Sequence, residues 1–287
     1  MNSLVQIRIG EPSAEIAQEK EQRLLSQLAA LPSVLVALSG GIDSAYLAWA
    51  AHHALAERAL SVTATSASYS RFDREQVEIF LRASGVRHEF VETHELENPA
   101  YRVNDSNRCY YCKDELFTVL DTLASLRGIA AVAYGVNAND TSDFRPGQRA
   151  AREHRVLTPL LDARMEKREI RFLAQRAGIP MWNRPASACL SSRLPYGTEV
   201  TPERLTLIER GEEALRKLGF RQFRVRLHET LGRVEIAPEE LERALSSEMA
   251  GRIAKGLKAA GFTYVTLDLE GYRQGSLNET LAKSKGT

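Results

Sequence analysis

The chain is short of cysteine, of net charge and of long apolar runs, and each shortage removes a class of protein. Three cysteines in 287 residues are too few, and odd in number, for a disulfide framework. Lys plus Arg total 38 against 37 for Asp plus Glu. That balance gives no pull toward a nucleic-acid polyanion or an anionic membrane, although it is compatible with a local basic site. No apolar run approaches the roughly 20 residues of a membrane span, and residues 1–20 are polar without the apolar core of a secretion signal. Internal repeats and low-complexity stretches are absent too. What remains is ordinary globular composition, 44% hydrophobic and 26% charged, in a length suited to one large or two ordinary domains. The expectation is a soluble cytoplasmic protein.

Against this plain background one stretch stands out. The apolar run Val34–Leu38 ends in Ser39-Gly40-Gly41-Ile42-Asp43-Ser44, and a helical pattern follows. Strand, glycine turn and helix make an anion site. Glycines let the backbone approach phosphate, and the helix start offers unpaired N–H groups and a positive dipole end. The hydroxyls of Ser39 and Ser44 add hydrogen bonds. Asp43 is the odd member, because a carboxylate beside phosphates needs a cation such as Mg²⁺ between them. The run lacks the Gly-Lys-Ser/Thr ending of a Walker A loop and the spaced glycines of a dinucleotide fingerprint. It resembles the loop of the PP-loop ATP pyrophosphatases, which implies cleavage of ATP between its α and β phosphates.

Periodicity organises the rest. Helical patterns cover about 13–31, where Ile16, Leu24, Leu25, Leu28 and Leu31 form the apolar stripe, then the segment after the loop to about Leu55, then 74–84, 114–126 and 165–177. Strand patterns cover 34–38, 60–66, 88–91 and 130–134. Strands alternating with helices predict an α/β domain with a parallel sheet covered on both faces, with ligand at the carboxyl ends of the strands. The character changes after Pro195-Tyr196-Gly197. A helix at 202–218 precedes strands at 221–228 and 233–236, joined by a short turn at Leu231-Gly232. One or two helices over 238–260 and a strand at 263–269 complete a small α+β block. The expected organisation is a catalytic domain over 1–195 and a substrate or oligomerisation domain over 196–287. The polar tail after Asn278 is expected to fray.

The cysteines pose a chemical question. Cys109 and Cys112 form a Cys-x-x-Cys pair, and Cys189 follows about eighty residues later. All three read as loop residues, outside any apolar run. Structural zinc wants four ligands, and His88 or His94 as the fourth would not sit at finger spacing. A thioredoxin-type pair needs a strand before it and a helix start beneath it. An iron–sulfur cluster can be held by three thiolates with one iron open. Inert buried cysteines are the remaining reading.

Four runs together, Ser39–Ser44, Asn107-Arg108-Cys109-Tyr110-Tyr111-Cys112-Lys113, Gly135-x-Asn137-x-x-Asp140 and Cys189-Leu190-Ser191-Ser192-Arg193-x-Pro195-Tyr196-Gly197, resemble the LarE family over about residues 20–275. The last run is the most specific. The resemblance implies an ATP-dependent sulfur transferase of nickel-pincer nucleotide biosynthesis. Its implied substrate is a small mononucleotide, pyridinium-3,5-dicarboxylate mononucleotide. One carboxylate is adenylated, sulfur displaces AMP to give a thiocarboxylate, and the second carboxylate follows. Some members sacrifice the sulfur of a cysteine at the position of Cys189. Others carry a [4Fe–4S] cluster, and the implied ligands here are Cys109, Cys112 and Cys189. It also implies a homo-oligomer, up to a hexamer, with sulfide or a cysteine desulfurase as sulfur source.

Individual residues follow. Ser39, Gly40, Gly41, Asp43 and Ser44 hold the pyrophosphate, with Asp43 on Mg²⁺. Asp140 is a second acidic candidate near metal or nucleotide, or else a turn residue. Thr65 and Ser66 lie where adenine would be read. Arg193 clamps phosphate or makes a surface salt bridge. Arg224 and Arg226 alternate on one strand, so they share a face and suit an anion; they match arginines of the family implicated in phosphate binding. Glu212 and Glu235 lie near positions of acidic metal ligands in some members, and His228 reads as an ordinary strand residue. Three rivals stand beside this reading. A transfer-RNA thiolase would want a basic surface that the second half lacks. An ammonia-using PP-loop ligase would not need the loop cysteines. A nucleotide sensor would bind ATP without releasing pyrophosphate.

Overall fold

The structure, a computed structural model, describes residues 12–142, 146–185, 187–273 and 275. The predicted frayed tail lies outside them. Helix α1 (Ala14–Ala29) is capped by Ser13, whose hydroxyl accepts from the Ile16 N–H. Ala17, Leu24 and Leu28 of its apolar stripe are buried, whereas Ile16 faces solvent. Strand β1 (Val34–Ala37) is buried along its length, and α2 (Ile42–Leu55), β2 (Ala59–Thr65), α3 (Arg71–Ser84) and β3 (His88–Glu92) follow. A short α4 (Pro99–Arg102) and the long α5 (Arg108–Arg127) lead to β4 (Val132–Tyr134), then to α6 (Pro146–Glu153), α7 (Pro159–Asp162) and α8 (Lys167–Arg176).

These strands form one parallel sheet in the order β3-β2-β1-β4. Alternation along β1 splits the core. Val34 and Val36 pack with α1, α2 and α8, while Leu35 and Ala37 pack with Phe117 and Leu120 of α5 and Ala150 of α6. Both faces are therefore covered, as predicted. The chain runs β1, β2, β3 to one side and returns for β4 on the other side of β1. The segments after β1 and β4 thus diverge from a topological switch point, the usual ligand crevice of such sheets.

The second sheet is β5 (Phe223–His228), β6 (Leu231–Ile236) and β7 (Tyr264–Leu267), with β5 and β6 antiparallel and β6 and β7 parallel. Helix α9 (Pro202–Lys217) precedes it. The stretch 238–260 is two helices, α10 (Pro238–Leu245) and α11 (Ser247–Ala260), separated by Ser246, whose hydroxyl caps the second. The core of this unit also takes in Tyr101, Leu190 and Leu194 from earlier in the chain.

Two expectations are corrected. The hairpin turn is Glu229-Thr230, with Glu229 at φ +54°, while Leu231 and Gly232 already pair in β6. Gly232 is there for packing, since a Cβ would stand 2.8 Å from Phe262. Helix α5 begins at Arg108, six residues before the expected start, so Cys109 and Cys112 lie on its first turns and not in a loop. Asn107 offers no side-chain cap. The helix start is set by long-range contacts, with Arg108 buried and donating to the Ser191 carbonyl at 2.9 Å, and local patterning could not reveal it.

Candidate functional site

The loop after β1 is wired to itself. The Ser44 hydroxyl donates to the Gly41 carbonyl (2.9 Å) and accepts from the Ser39 N–H (3.1 Å), and the Ser39 hydroxyl accepts from the Gly41 N–H (3.4 Å). Gly40 sits at φ +82°, and any Cβ there would crowd the Asp73 carbonyl. Gly41 is the cap residue of α2 and gives no side-chain cap bond, leaving the first N–H groups of the helix for an anion.

Asp43 lies on the first turn of α2. Its Oδ2 accepts from Lys167 Nζ at the start of α8 and from Asn137 Nδ2 at 3.2 Å. Its Oδ1 is buried without a partner. Burial raises its pKa, Lys167 opposes the rise, and nearby Asp140 adds to it. A buried carboxylate oxygen without a donor, beside a second carboxylate and a phosphate-type loop, fits Mg²⁺ held by protein carboxylate and substrate phosphate. Asp140 lies in the turn after β4, where its Oδ2 accepts from the Asn137 N–H. Gly135 makes this approach possible: a Cβ there would come within 2.7 Å of the Ser44 nitrogen. The loops after β1 and β4 are therefore in backbone contact.

At the end of β2 the Thr65 hydroxyl donates to the Val91 carbonyl (3.1 Å). The hydroxyls of Ser66 and Ser68 both donate to buried Glu95. This serine turn carries the contact that unites the site: the Leu190 N–H donates to the Ser68 carbonyl at 3.0 Å. The Cys189 segment is thus docked on the strand end where adenine was expected.

Buried arginines brace that segment. Arg193 donates through Nη1 to the carbonyls of Ala188 (2.6 Å) and Cys189 (3.1 Å), while Nε and Nη2 form a two-point pair with Glu212 at 2.7 and 3.1 Å. Arg108 holds the Ser191 carbonyl, and Arg226 holds that of Ser192 at 3.1 Å while pairing with Glu235. The expected phosphate clamp Arg193 and the alternating Arg226 are each nine-tenths buried or more and engaged by carboxylates. Glu212 and Glu235 are the counter-charges, although Glu235 Oε2 has no partner. The Pro195-Tyr196-Gly197 end of the run is pinned by buried Asn104, whose amide donates to the carbonyls of Pro195 and Thr198.

The three thiols are free. Cys109 and Cys189 both act electrostatically on Arg108, and burial and then Cys189 raise the Cys112 pKa. Thiols are donors of the right kind for a three-thiolate cluster, and Arg108 Nη2 lies 4.0 Å from the Cys109 sulfur. Among the described residues no three His, Cys, Asp or Glu side chains converge to hold a metal ion. His88 is occupied with Thr63 at 2.9 Å, its pKa lowered to about 4 by burial, and His94 faces Glu97, so neither joins the cysteines.

A cleft of about 330 Å³ runs between the two units, from Asp73 and Arg184 to Arg224 and Tyr272. Arg224 lines it with one bond, to the Tyr272 hydroxyl at 3.1 Å. His228 is exposed on the last residue of β5. The sequence reading missed Lys167, Arg184 and Arg108. Arg108 adjoins Cys109 in a quoted run, but Lys167 and Arg184 sit in ordinary polar stretches that carried no signal.

Comparison with known proteins agrees with this geometry. No protein-family model matches the chain. An uncharacterized protein of Synechocystis sp. is 41% identical over 266 residues, covering 93% of this chain and 99% of that protein. An uncharacterized protein of Methanocaldococcus jannaschii is 32% identical over 170 residues, 59% of this chain and 66% of the relative. The pyridinium-3,5-bisthiocarboxylic acid mononucleotide synthase of Lactiplantibacillus plantarum is 34% identical over 274 residues, covering 93% of this chain and 96% of that protein. With the glycine loop, the acidic pair and the braced cysteine turn gathered beyond the carboxyl ends of the strands, and a named relative matched over 93% of this chain and 96% of its own length, the chain belongs to the LarE family of sulfur-transferring enzymes.

Proposed function

We propose that this protein uses ATP to convert the carboxylates of pyridinium-3,5-dicarboxylate mononucleotide into thiocarboxylates for a nickel-pincer nucleotide. The observation that carries the reading is the bond from Leu190 to the Ser68 carbonyl, which brings a cysteine turn to the nucleotide end of the sheet. A substrate carboxylate oxygen attacks the α-phosphorus of ATP, the bond to the β-phosphate oxygen breaks, and pyrophosphate leaves from the 39–44 loop. A sulfur nucleophile then adds to the acyl carbon, and AMP departs with the electrons of the carbon–oxygen bond. Asp43, with Asp140 nearby, would hold Mg²⁺, which neutralises phosphate charge when bound. Cys109, Cys112 and Cys189 would hold a [4Fe–4S] cluster, which supplies transferable sulfide when bound. Arg108, Arg193 and Arg226 fix the Cys189 turn so that its sulfur keeps one position. Thr65 and Ser66 border the adenine, Arg224 meets the substrate phosphate, and residues 196–287 carry the substrate side and the contacts of a homo-oligomer. Sulfide or a cysteine desulfurase would replenish the sulfur.

The test is anaerobic purification with iron and acid-labile sulfide analysis, alongside Cys109→Ala, followed by assay with ATP, Mg²⁺ and the mononucleotide. Iron that is lost in the variant, with pyrophosphate and thiocarboxylate formed together, supports the reading. Thiocarboxylate formed once per chain without iron, with the Cys189 sulfur passed to the product and the residue left as dehydroalanine, would replace the cluster by a sacrificed cysteine. Pyrophosphate released without any thiocarboxylate would overturn sulfur transfer itself.

A further inference from the structure

The cleft contains a guanidinium that the phosphate and cysteine machinery leaves unused. Arg216, near the end of α9, lies over the Phe72 ring with its guanidinium carbon 3.9 Å from the centroid, and 5.7 Å from that of Phe223. It has no hydrogen-bond or ion-pair partner among the described residues. Arg216 is half-buried, and a guanidinium withdrawn from water normally finds an acceptor. Burial lowers its pKa; the carboxylates of Glu212 and Asp73 oppose that fall, and Arg184 adds to it. Its neighbours are already committed: Glu212 to Arg193, and Asp73 to Arg184. The cation is held in place by rings and its donors are unspent.

Position says which anion it suits. Arg184 donates to the Gly40 carbonyl at 2.7 Å and stacks on the face of Phe72, 4.8 Å from its centroid, and Arg216 also stacks on Phe72. A chain of direct contacts thus leads from the phosphate loop to Arg216. Arg224 lines the same cleft, stacked on Tyr272 and bonded to its hydroxyl. A ligand whose carboxylate must reach the α-phosphorus presents its ring end to the loop and its own phosphate away from it. We infer that Arg216 binds a ring carboxylate of the substrate, the one not being adenylated, while Arg224 takes the phosphate. The inference rests on the reading under Proposed function. It makes Arg216 the residue by which the enzyme distinguishes a pyridinium carboxylate from a neutral analogue.

The experiment is binding calorimetry with two mononucleotides that differ in this one group, nicotinic acid mononucleotide and nicotinamide mononucleotide. Wild type, Arg216→Gln and Arg224→Gln are compared, each with a thermal unfolding midpoint taken without ligand. Wild type is expected to prefer the acid by roughly tenfold or more, as for a charge-assisted hydrogen bond. Arg216→Gln is expected to bind both equally, with an unliganded midpoint unchanged or higher. Arg224→Gln is expected to weaken both and keep the preference. Retained preference in Arg216→Gln overturns the inference and leaves the proposed function standing. Equal weakening of both ligands by Arg216→Gln, with a lowered midpoint, makes the residue a packing element and also overturns it. If wild type binds neither mononucleotide but still releases pyrophosphate with another acid, the proposed substrate class falls and the inference falls with it.

Discussion

The two halves of the site are held together by opposite means. The phosphate loop is built from backbone, hydroxyls and absent side chains: Ser39 and Ser44 bond back into the loop, Gly40 takes a left-handed φ, and Gly135 admits the neighbouring segment. The cysteine turn is built from buried charge, with guanidiniums on its carbonyls and carboxylates behind two of them. The first kind of construction is local and costs little to desolvate. The second is long-range, and its stability depends on every charge keeping its partner. The loop bonds the Ser39 and Gly41 N–H groups to its own hydroxyls, while the first N–H groups of α2 have no side-chain cap. The cysteine turn, by contrast, has its carbonyls held by three guanidiniums.

The sharpest way to break that contrast is Glu212→Ala. It leaves Arg193 buried without its carboxylate, and a loss of about 3–5 kcal/mol in unfolding free energy is expected. Urea titration would measure it, and a loss under about 1 kcal/mol would mean that the brace is not held by charge. On the loop side, Gly135→Ala puts a methyl group against the Ser44 nitrogen. A cost of about 1–3 kcal/mol is expected from overpacking, with nucleotide-dependent pyrophosphate release down about 100-fold from the displaced loop. An unchanged release rate would show that the contact is incidental.

Asp43→Asn sharpens the comparison by its sign. Burial raises the Asp43 pKa in the folded chain, so the unfolded state loses that proton first. The ionised carboxylate therefore costs stability as pH rises from the ordinary aspartate range through the raised folded value. The variant should gain thermal midpoint over wild type across that interval while losing pyrophosphate release. A midpoint lower than wild type at neutral pH would show that the pair with Lys167 outweighs burial.

The smallest effect concerns His154, which bonds Asp121 at 2.7 Å and Asp114 at 3.0 Å, joining the end of α6 to α5. Burial pulls its pKa down, but the two carboxylates outweigh burial and raise it. Its contribution is full below the ordinary histidine range and fades as pH rises through the folded value. Both carboxylates are more than a third exposed, so His154→Ala should cost only about 0.5–1 kcal/mol, and only at the acid end. Equal midpoints for the two proteins at every pH would remove the bridge.

Much of this was legible in the chain itself. The sheet, its helices and the phosphate loop follow from alternation, glycine stops and a short apolar strand, all of which act within a dozen residues. The start of α5 was hidden because Arg108 reaches Ser191 and not a local cap. Arg193 and Arg226 stood out in the sequence as anion-binding candidates, but their pairs with Glu212 and Glu235 did not, because pairing at a distance leaves no periodicity. Lys167 was missed for the same reason: at the head of a polar helix nothing marks it as the neighbour of Asp43.

Gly135 has one more consequence, for motion. Because the segments after β1 and β4 touch backbone to backbone, neither can swing without carrying the other, and together they form a fixed anvil at the sheet edge.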